Sequence, residues 1–209
     1  MTTGSLDERA QRPSADATRE RILAAALELF SERSFEGATT RLIAERAGVQ
    51  QPLLSYHFGT KEELWRAAVG QLFERLAAVL EERAAGLRGV DDETLARLVV
   101  AEFVRFSAAY PQLHRIIMQE CKTEGDRLTW LVERHVRPLY DGALALFEPL
   151  VASGKIRNLP RAHLYYLLTG AVATIFVLAP ECRLLTGVDP ADPAEVDRHV
   201  DAVLSMVFV

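Results

Sequence analysis

Cysteine is almost missing from this chain. Its two examples, Cys121 and Cys182, lie far apart and match no disulfide framework or metal-ligand spacing, which points to a reducing cytoplasm. An excess of positive charge is missing too: the formal net charge is −5. Dividing the chain does not change this, since residues 1–66 hold nine Lys/Arg against ten Asp/Glu and the remainder fifteen against nineteen. Any attraction to a polyanion must therefore come from where single cations sit, with Arg9, Arg12, Arg19, Arg21 and Lys61 as candidates. No apolar run reaches the roughly 20 residues of a membrane helix. The longest, Leu164–Ala179, contains two threonines and a glycine and reads as a buried helix, so no membrane partner is expected. The opening MTTGSLDERAQRPSAD lacks the apolar core of a signal peptide. Strand alternation, hairpin turn signals and internal repeats are absent. So are a glycine-rich phosphate loop, a G-x-S-x-G elbow and an H-E-x-x-H pair. The histidines His57, His114, His135, His163 and His199 are scattered. No enzyme, metal or cofactor is expected from this set.

What is present is helical periodicity, in a chain of 209 residues that is 49% hydrophobic. Thr40–Phe58 reads as two short helices joined by a tight turn. Ile43 and Ala47 share one face of the first, Ala44 allows a close crossing, and Gly48 stands where a left-handed residue ends that helix. Leu54 and Phe58 repeat the four-residue spacing on the second, with Pro52 tolerated in its first turn. Left outside are Gln50, Gln51, Ser55, Tyr56 and His57, hydrogen-bonding groups without full charge at neutral pH. A merely solvated face would be rich in Lys and Glu, whereas amides, hydroxyls and imidazoles suit base edges and phosphates in a DNA major groove.

The flanks extend the motif. Upstream, a helix capped by Thr18 and ending near Arg33 places Ile22, Ala26, Leu29 and Phe30 on one face, and Phe35 closes the small core. Downstream, Thr60 and Glu63 form a T-x-x-E capping box with Lys61 in the first turn, beside free N–H groups that attract an anion. The leucine stripe Leu64, Ala68, Leu72, Leu76, Leu80 carries that helix to about Gly86. From Thr18 to Trp65 the chain resembles the N-terminal DNA-binding domain of the TetR/AcrR family of transcriptional regulators. It departs from the usual pattern at Pro52 and Ser55. The resemblance implies that Thr40, Gln50, Gln51, Pro52, Leu53, Ser55, Tyr56, His57 and Lys61 contact double-stranded DNA.

Beyond this segment, helices are expected at Asp91–Tyr110, Pro111–Lys122, about Gly125–Ser153, Pro160 to about Glu181, and Pro193–Phe208. Pro138 and Pro149 should interrupt the third, and Pro180 should end or bend the fourth. The expected architecture is all-α. A mobile arm (1–16) precedes a three-helix helix-turn-helix domain (17–66), and a helical ligand-binding and dimerisation domain (67–209) follows. In that last domain Phe103, Phe106, His114, Met118, Trp130, Tyr166 and Phe176 are candidates to line an apolar small-molecule cavity. The last two helices are more apolar than one packed face requires, which suggests a homodimer matched to a palindromic operator, with Val172 and Phe208 at the interface. The alternative is a helical small-molecule or lipid-binding module whose hairpin is incidental.

Overall fold

The computed structural model describes residues 15–85 and 89–209. The chain divides into two compact units, the first ending at Val69 and the second starting at Gly70. Each is helical; among the described residues the only strand-like pairing is an isolated antiparallel bridge between Ile156 and Phe208.

In the first unit α1 (Ala15–Gly37), α2 (Thr40–Ala47), α3 (Pro52–Phe58) and the start of α4 (Lys61–Ala85) enclose one core. Ile22, Ala26, Leu29, Phe30, Ile43, Leu54 and Trp65 are buried there. Phe35 seals it as expected, stacking on Phe30 at 5.9 Å and meeting the Trp65 ring edge-on at 6.4 Å. Thr39 caps α2 by accepting from Leu42 N–H at 3.2 Å, and Gly48 ends it with φ 65°. Arg46 holds α2 to α1 by pairing with Glu28 at 3.0 Å and Glu32 at 3.4 Å.

Two sequence expectations fail in α1. Thr18 is not its cap, because the helix already includes Ala15, Asp16 and Ala17. Alanine is the best helix former, and an acidic residue in a first turn complements the helix dipole. The arm expected over residues 1–16 therefore loses its last two residues to α1, and the rest lies outside the described residues. The end near Arg33 is marked by Ser34, which interrupts the helix at φ 62°, ψ 174°.

In the second unit α4 continues, followed by α5 (Asp92–Ala109) and α6 (Pro111–Glu120). After them come α7 (Asp126–Leu131), a π-helical turn (Val132–Val136), α8 (Arg137–Ala152), α9 (Arg161–Val177), α10 (Ala179–Thr186) and α11 (Pro193–Val207). Their core is built from Val100, Val104, Phe147, Leu168, Val172, Phe176, Val203 and Phe208. Where one helix was expected over 125–153, a π turn intervenes. Pro138 has no N–H to give to the preceding turn, and Arg137 N–H bonds the Val132 carbonyl with the wider π spacing. Pro149 breaks nothing: it lies inside α8 beside exposed Ala145 and Glu148, where water can satisfy the released carbonyl. Pro180 bends the chain as expected, since α9 and α10 meet at 71°. Among the described residues no single helix is long and apolar enough to cross a membrane.

The backbone at Ser34 lies where essentially only glycine is at ease, at a cost on the order of 1–3 kcal/mol. Replacing Ser34 with Gly should release that strain at an entropic cost of roughly 0.5–1 kcal/mol. The thermal midpoint, followed by circular dichroism, should rise by a few degrees. A midpoint at or below the wild-type value would show that the serine is not strained.

Candidate nucleic-acid interface and apolar cavities

α3 is seven residues long and buries only Leu54 and Phe58. Every other side chain it carries is exposed or half-buried, and none belongs to Asp, Glu, Lys or Arg. Tyr56 is 81% exposed, its ring meeting His57 edge-on at 5.2 Å. Gln50, Gln51, Pro52, Leu53 and Ser55 are exposed around it. The Gln51 side-chain amide donates to Thr40 Oγ1 at 3.0 Å, so the first turns of α2 and α3 are tied together and the predicted Thr40 joins the same surface.

The capping box at the start of α4 is complete. Thr60 N–H donates to Glu63 Oε2 at 2.8 Å, and Glu63 N–H donates to Thr60 Oγ1 at 3.1 Å. The backbone hydrogen bond from Thr60 is the main reason that the Glu63 carboxyl is held below its ordinary range. Lys61 follows it, with its ammonium 4.4 Å from the Phe35 ring centroid. That contact places the ammonium beside the start of α4, where unpaired first-turn N–H groups also favour an anion.

The remaining cations divide. Arg46 is occupied by two carboxylates. Arg19 packs over the Phe58 ring at 5.1 Å, and Arg21 borders a shallow open depression with Gly48, Val49 and Gln50. Arg9 and Arg12 lie outside the described residues. Arg41, which sequence reasoning passed over, is exposed in the first turn of α2 next to Thr40. Its signal was simple: the residue after a candidate contact at a helix start is itself near the surface that the contact serves.

The second unit holds two apolar cavities of about 320 and 200 Å³ that share Leu76, Phe103, Leu139, Tyr165 and Thr169. Of the residues proposed from sequence, Phe103 lines both, and His114, Met118 and Tyr166 line the larger. The other three do not line either cavity. Phe106 is buried against Tyr110 at 4.7 Å, Trp130 sets its ring edge-on to His135 at 4.9 Å, and Phe176 packs into the core against His199 at 5.3 Å. Which side of a helix meets a neighbour and which meets a gap depends on helix crossings, and periodicity does not supply those. Tyr165 and Thr169, which line both cavities, were missed in the candidate set; four residues apart, they share one face of α9.

Ser107 Oγ donates to the Phe103 carbonyl at 2.8 Å, which uses its only hydrogen, so it accepts from His114 Nε2–H at 3.0 Å. His114 is thereby held as the Nε2–H tautomer with Nδ1 free of a proton. Burial pushes its pKa down to about 4, so the ring is neutral near pH 7. Burial likewise pushes the Tyr165 phenol up to about 12. Among the described residues no group of three or more His, Cys, Asp or Glu could hold a metal ion.

Comparison with known proteins places these features in context. Residues 22–68 match the family described as "Bacterial regulatory proteins, tetR family". The HTH-type transcriptional regulator RutR of Escherichia coli K12 is 27% identical over 213 aligned residues, covering 100% of this chain and 97% of RutR. The HTH-type transcriptional repressor NicS of Pseudomonas putida is 29% identical over 163 residues, covering 77% of this chain and 73% of NicS. Among solved structures, a TetR-like transcriptional regulator from Rhodococcus sp. RHA1 superposes with a TM-score of 0.68 at 20% identity, covering 94% of this chain and 96% of that one.

The buried imidazole makes stability pH-dependent. Unfolding returns His114 to an ordinary pKa of 6.5, so between pH 6.5 and about 4 the unfolded chain binds a proton that the folded chain refuses. The associated stability is present above that window and is lost as pH falls through it, by roughly 3 kcal/mol at its lower end. His114→Gln keeps a hydrogen-bonding group but cannot titrate, so it should flatten the decline in urea midpoint between pH 7 and pH 5. Parallel curves for the two proteins would remove His114 as the cause.

Proposed function

From a chain that belongs to the tetR family of bacterial regulatory proteins and is a DNA-binding regulator of transcription, we propose a repressor that leaves a palindromic operator when a small molecule binds its second unit. The observation that carries the DNA-reading part is the surface of α3. A short helix presents a largely exposed tyrosine among amides and a serine, and carries no Asp, Glu, Lys or Arg. Gln51, Ser55, Tyr56 and His57 would meet base edges and phosphates, with Pro52 and Leu53 seated against thymine methyls or sugar. Thr40, Arg41, Gln50 and Lys61 would hold the flanking backbone. NicS, a repressor by name, supports the sign of regulation.

The dimer is proposed to form through α9, α10 and α11, with corrected residues. Val172 and Phe208 are interior to the protomer, at 0% and 6% exposure, and Arg97 covers the Phe208 ring at 4.3 Å. Charging them would disrupt the fold. Uncovered apolar side chains lie instead at Leu167 on α9, Leu184 and Leu185 on α10, and Met206 on α11, with Leu184 89% and Leu185 77% exposed. Burying these against a second copy removes them from water and supplies the twofold axis that a palindrome mirrors. The working compartment is the cytoplasm, where the DNA is.

Effector coupling rests on α4. This helix begins at the Thr60–Glu63 box and contributes Phe73, Leu76 and Leu80 to the cavity walls. A ligand that favours a different set of α4 positions would bind the DNA-incompetent state more tightly, and operator DNA must then weaken ligand binding by the same factor.

Binding to the DNA flanking the coding region, followed by fluorescence anisotropy across a salt series, tests the reading. Lys61→Ala should fold normally and flatten the logarithmic salt slope by about one, and Tyr56→Ala should weaken specific binding. Absence of salt-dependent DNA binding in the wild type would leave a small-molecule or lipid-binding module with an incidental hairpin. The double variant Leu184→Glu, Leu185→Glu should sediment as a monomer and lose operator affinity while keeping its helical signal. Persistent dimers would place the interface elsewhere.

A further inference from the structure

The two cavities restrict what the effector can be. No Asp, Glu, Lys or Arg lines either of them among the described residues. An ion placed there would lose its hydration and find no counterion. The polar groups that do reach the walls are neutral and few. Thr169 Oγ1 spends its hydrogen on the Tyr165 carbonyl at 2.9 Å. His114 spends its Nε2–H on Ser107 and keeps Nδ1 as an acceptor. Tyr165 borders both cavities, and among the described residues nothing is hydrogen-bonded to its hydroxyl. The larger cavity thus offers the His114 acceptor, the Tyr165 phenol, the mostly exposed Tyr166 phenol and the Cys121 thiol in an otherwise hydrocarbon wall, while the smaller adds only Val99, Val100, Leu146, Phe147 and similar groups.

We propose that the effector is an uncharged, elongated, mostly hydrocarbon molecule whose neutral hydroxyl-type end lies in the larger cavity between His114 and Tyr165, and whose chain runs past Phe103 and Leu139 into the smaller one. A hydroxyl matches both partners at once, donating to His114 Nδ1 and accepting from the Tyr165 phenol. A carboxylate can only accept, and an ammonium can only donate. The proposal rests on the effector reading above and narrows it to a chemical class.

Three probes of equal chain length separate charge from size: 1-decanol, decanoate and decylammonium, titrated calorimetrically at pH 8 into the full chain with and without operator DNA. 1-Decanol should bind about tenfold or more tighter than either ion. Tyr165→Phe should weaken it by about 3- to 10-fold, the share of one hydrogen bond. Gly142→Leu should weaken 1-decanol more than 1-hexanol, because Gly142 lines the smaller cavity and a Cβ added there meets nothing within 4 Å. Ala143→Leu, on the same wall, provides a second filled variant should the first fold poorly. Decanoate or decylammonium binding as tightly as the alcohol would overturn the neutral class, and so would no binding by any of the three. If 1-decanol binds with equal affinity whether or not operator is present, the assignment of the pocket stands and its role as a switch falls.

Discussion

A seven-residue helix has no independent stability in water, since the cost of nucleating it exceeds what so few hydrogen bonds return. α3 therefore exists only while Leu54 and Phe58 are pinned in the core of the first unit. That constraint orders what surrounds it. Trp65 and Phe35 close the floor beneath the helices, Gly48 allows α2 to stop abruptly, and Arg46 is committed to Glu28 and Glu32 to keep α2 against α1. With its inward positions used for anchoring, α3 leaves its other side chains exposed or half-buried. On the proposed reading, the exposed Tyr56 is intelligible in those terms, because an aromatic ring in water costs free energy that burial recovers.

The acidic balance of the chain stops being an objection once cations are followed one at a time. Arg46 and Arg19 are engaged within the protein, Lys61 lies over the Phe35 ring at the start of α4, and Arg41 is exposed at the start of α2. Helix starts add partial positive charge and unpaired N–H groups of their own. A net-negative protein can in this way present a locally positive rim to phosphates without being a general polyanion binder, and that favours selective over indiscriminate attachment.

In the second unit the helices pack tightly on one side and leave room on the other. Phe147, Leu168, Val172, Phe176 and Val203 fill the first region, and Tyr165, Thr169 and His114 face the second. Both regions are served by α9, whose apolar residues run all round rather than along one stripe. The π turn before α8 contributes Val132 and Val136 to the cavity wall, and Leu139 follows from the first turn of α8. A break in helical spacing beside a cavity is the expected place for a fold to exchange packing for a binding volume.

Much of this was legible in the residues themselves. Local rules determine caps and turns, so Gly48, the Thr60–Glu63 box and the bend at Pro180 could all be read from neighbours a few positions apart. The two-part all-helical plan and the outward row on α3 followed from periodicity for the same reason. Thr18 was misread because a good cap residue loses to helix formers that precede it. What the chain could not reveal alone were contacts between residues distant in sequence. The Gln51–Thr40 bond, the burial of Val172 and Phe208 inside the protomer, the exposure of Leu184 and Leu185, and the choice of Tyr165 over Phe176 as a cavity wall all depend on how helices cross. Crossing angles emerge from the packing of many side chains at once, so tertiary structure alone decided which of many apolar residues fill the core, which stay exposed, and which line a cavity.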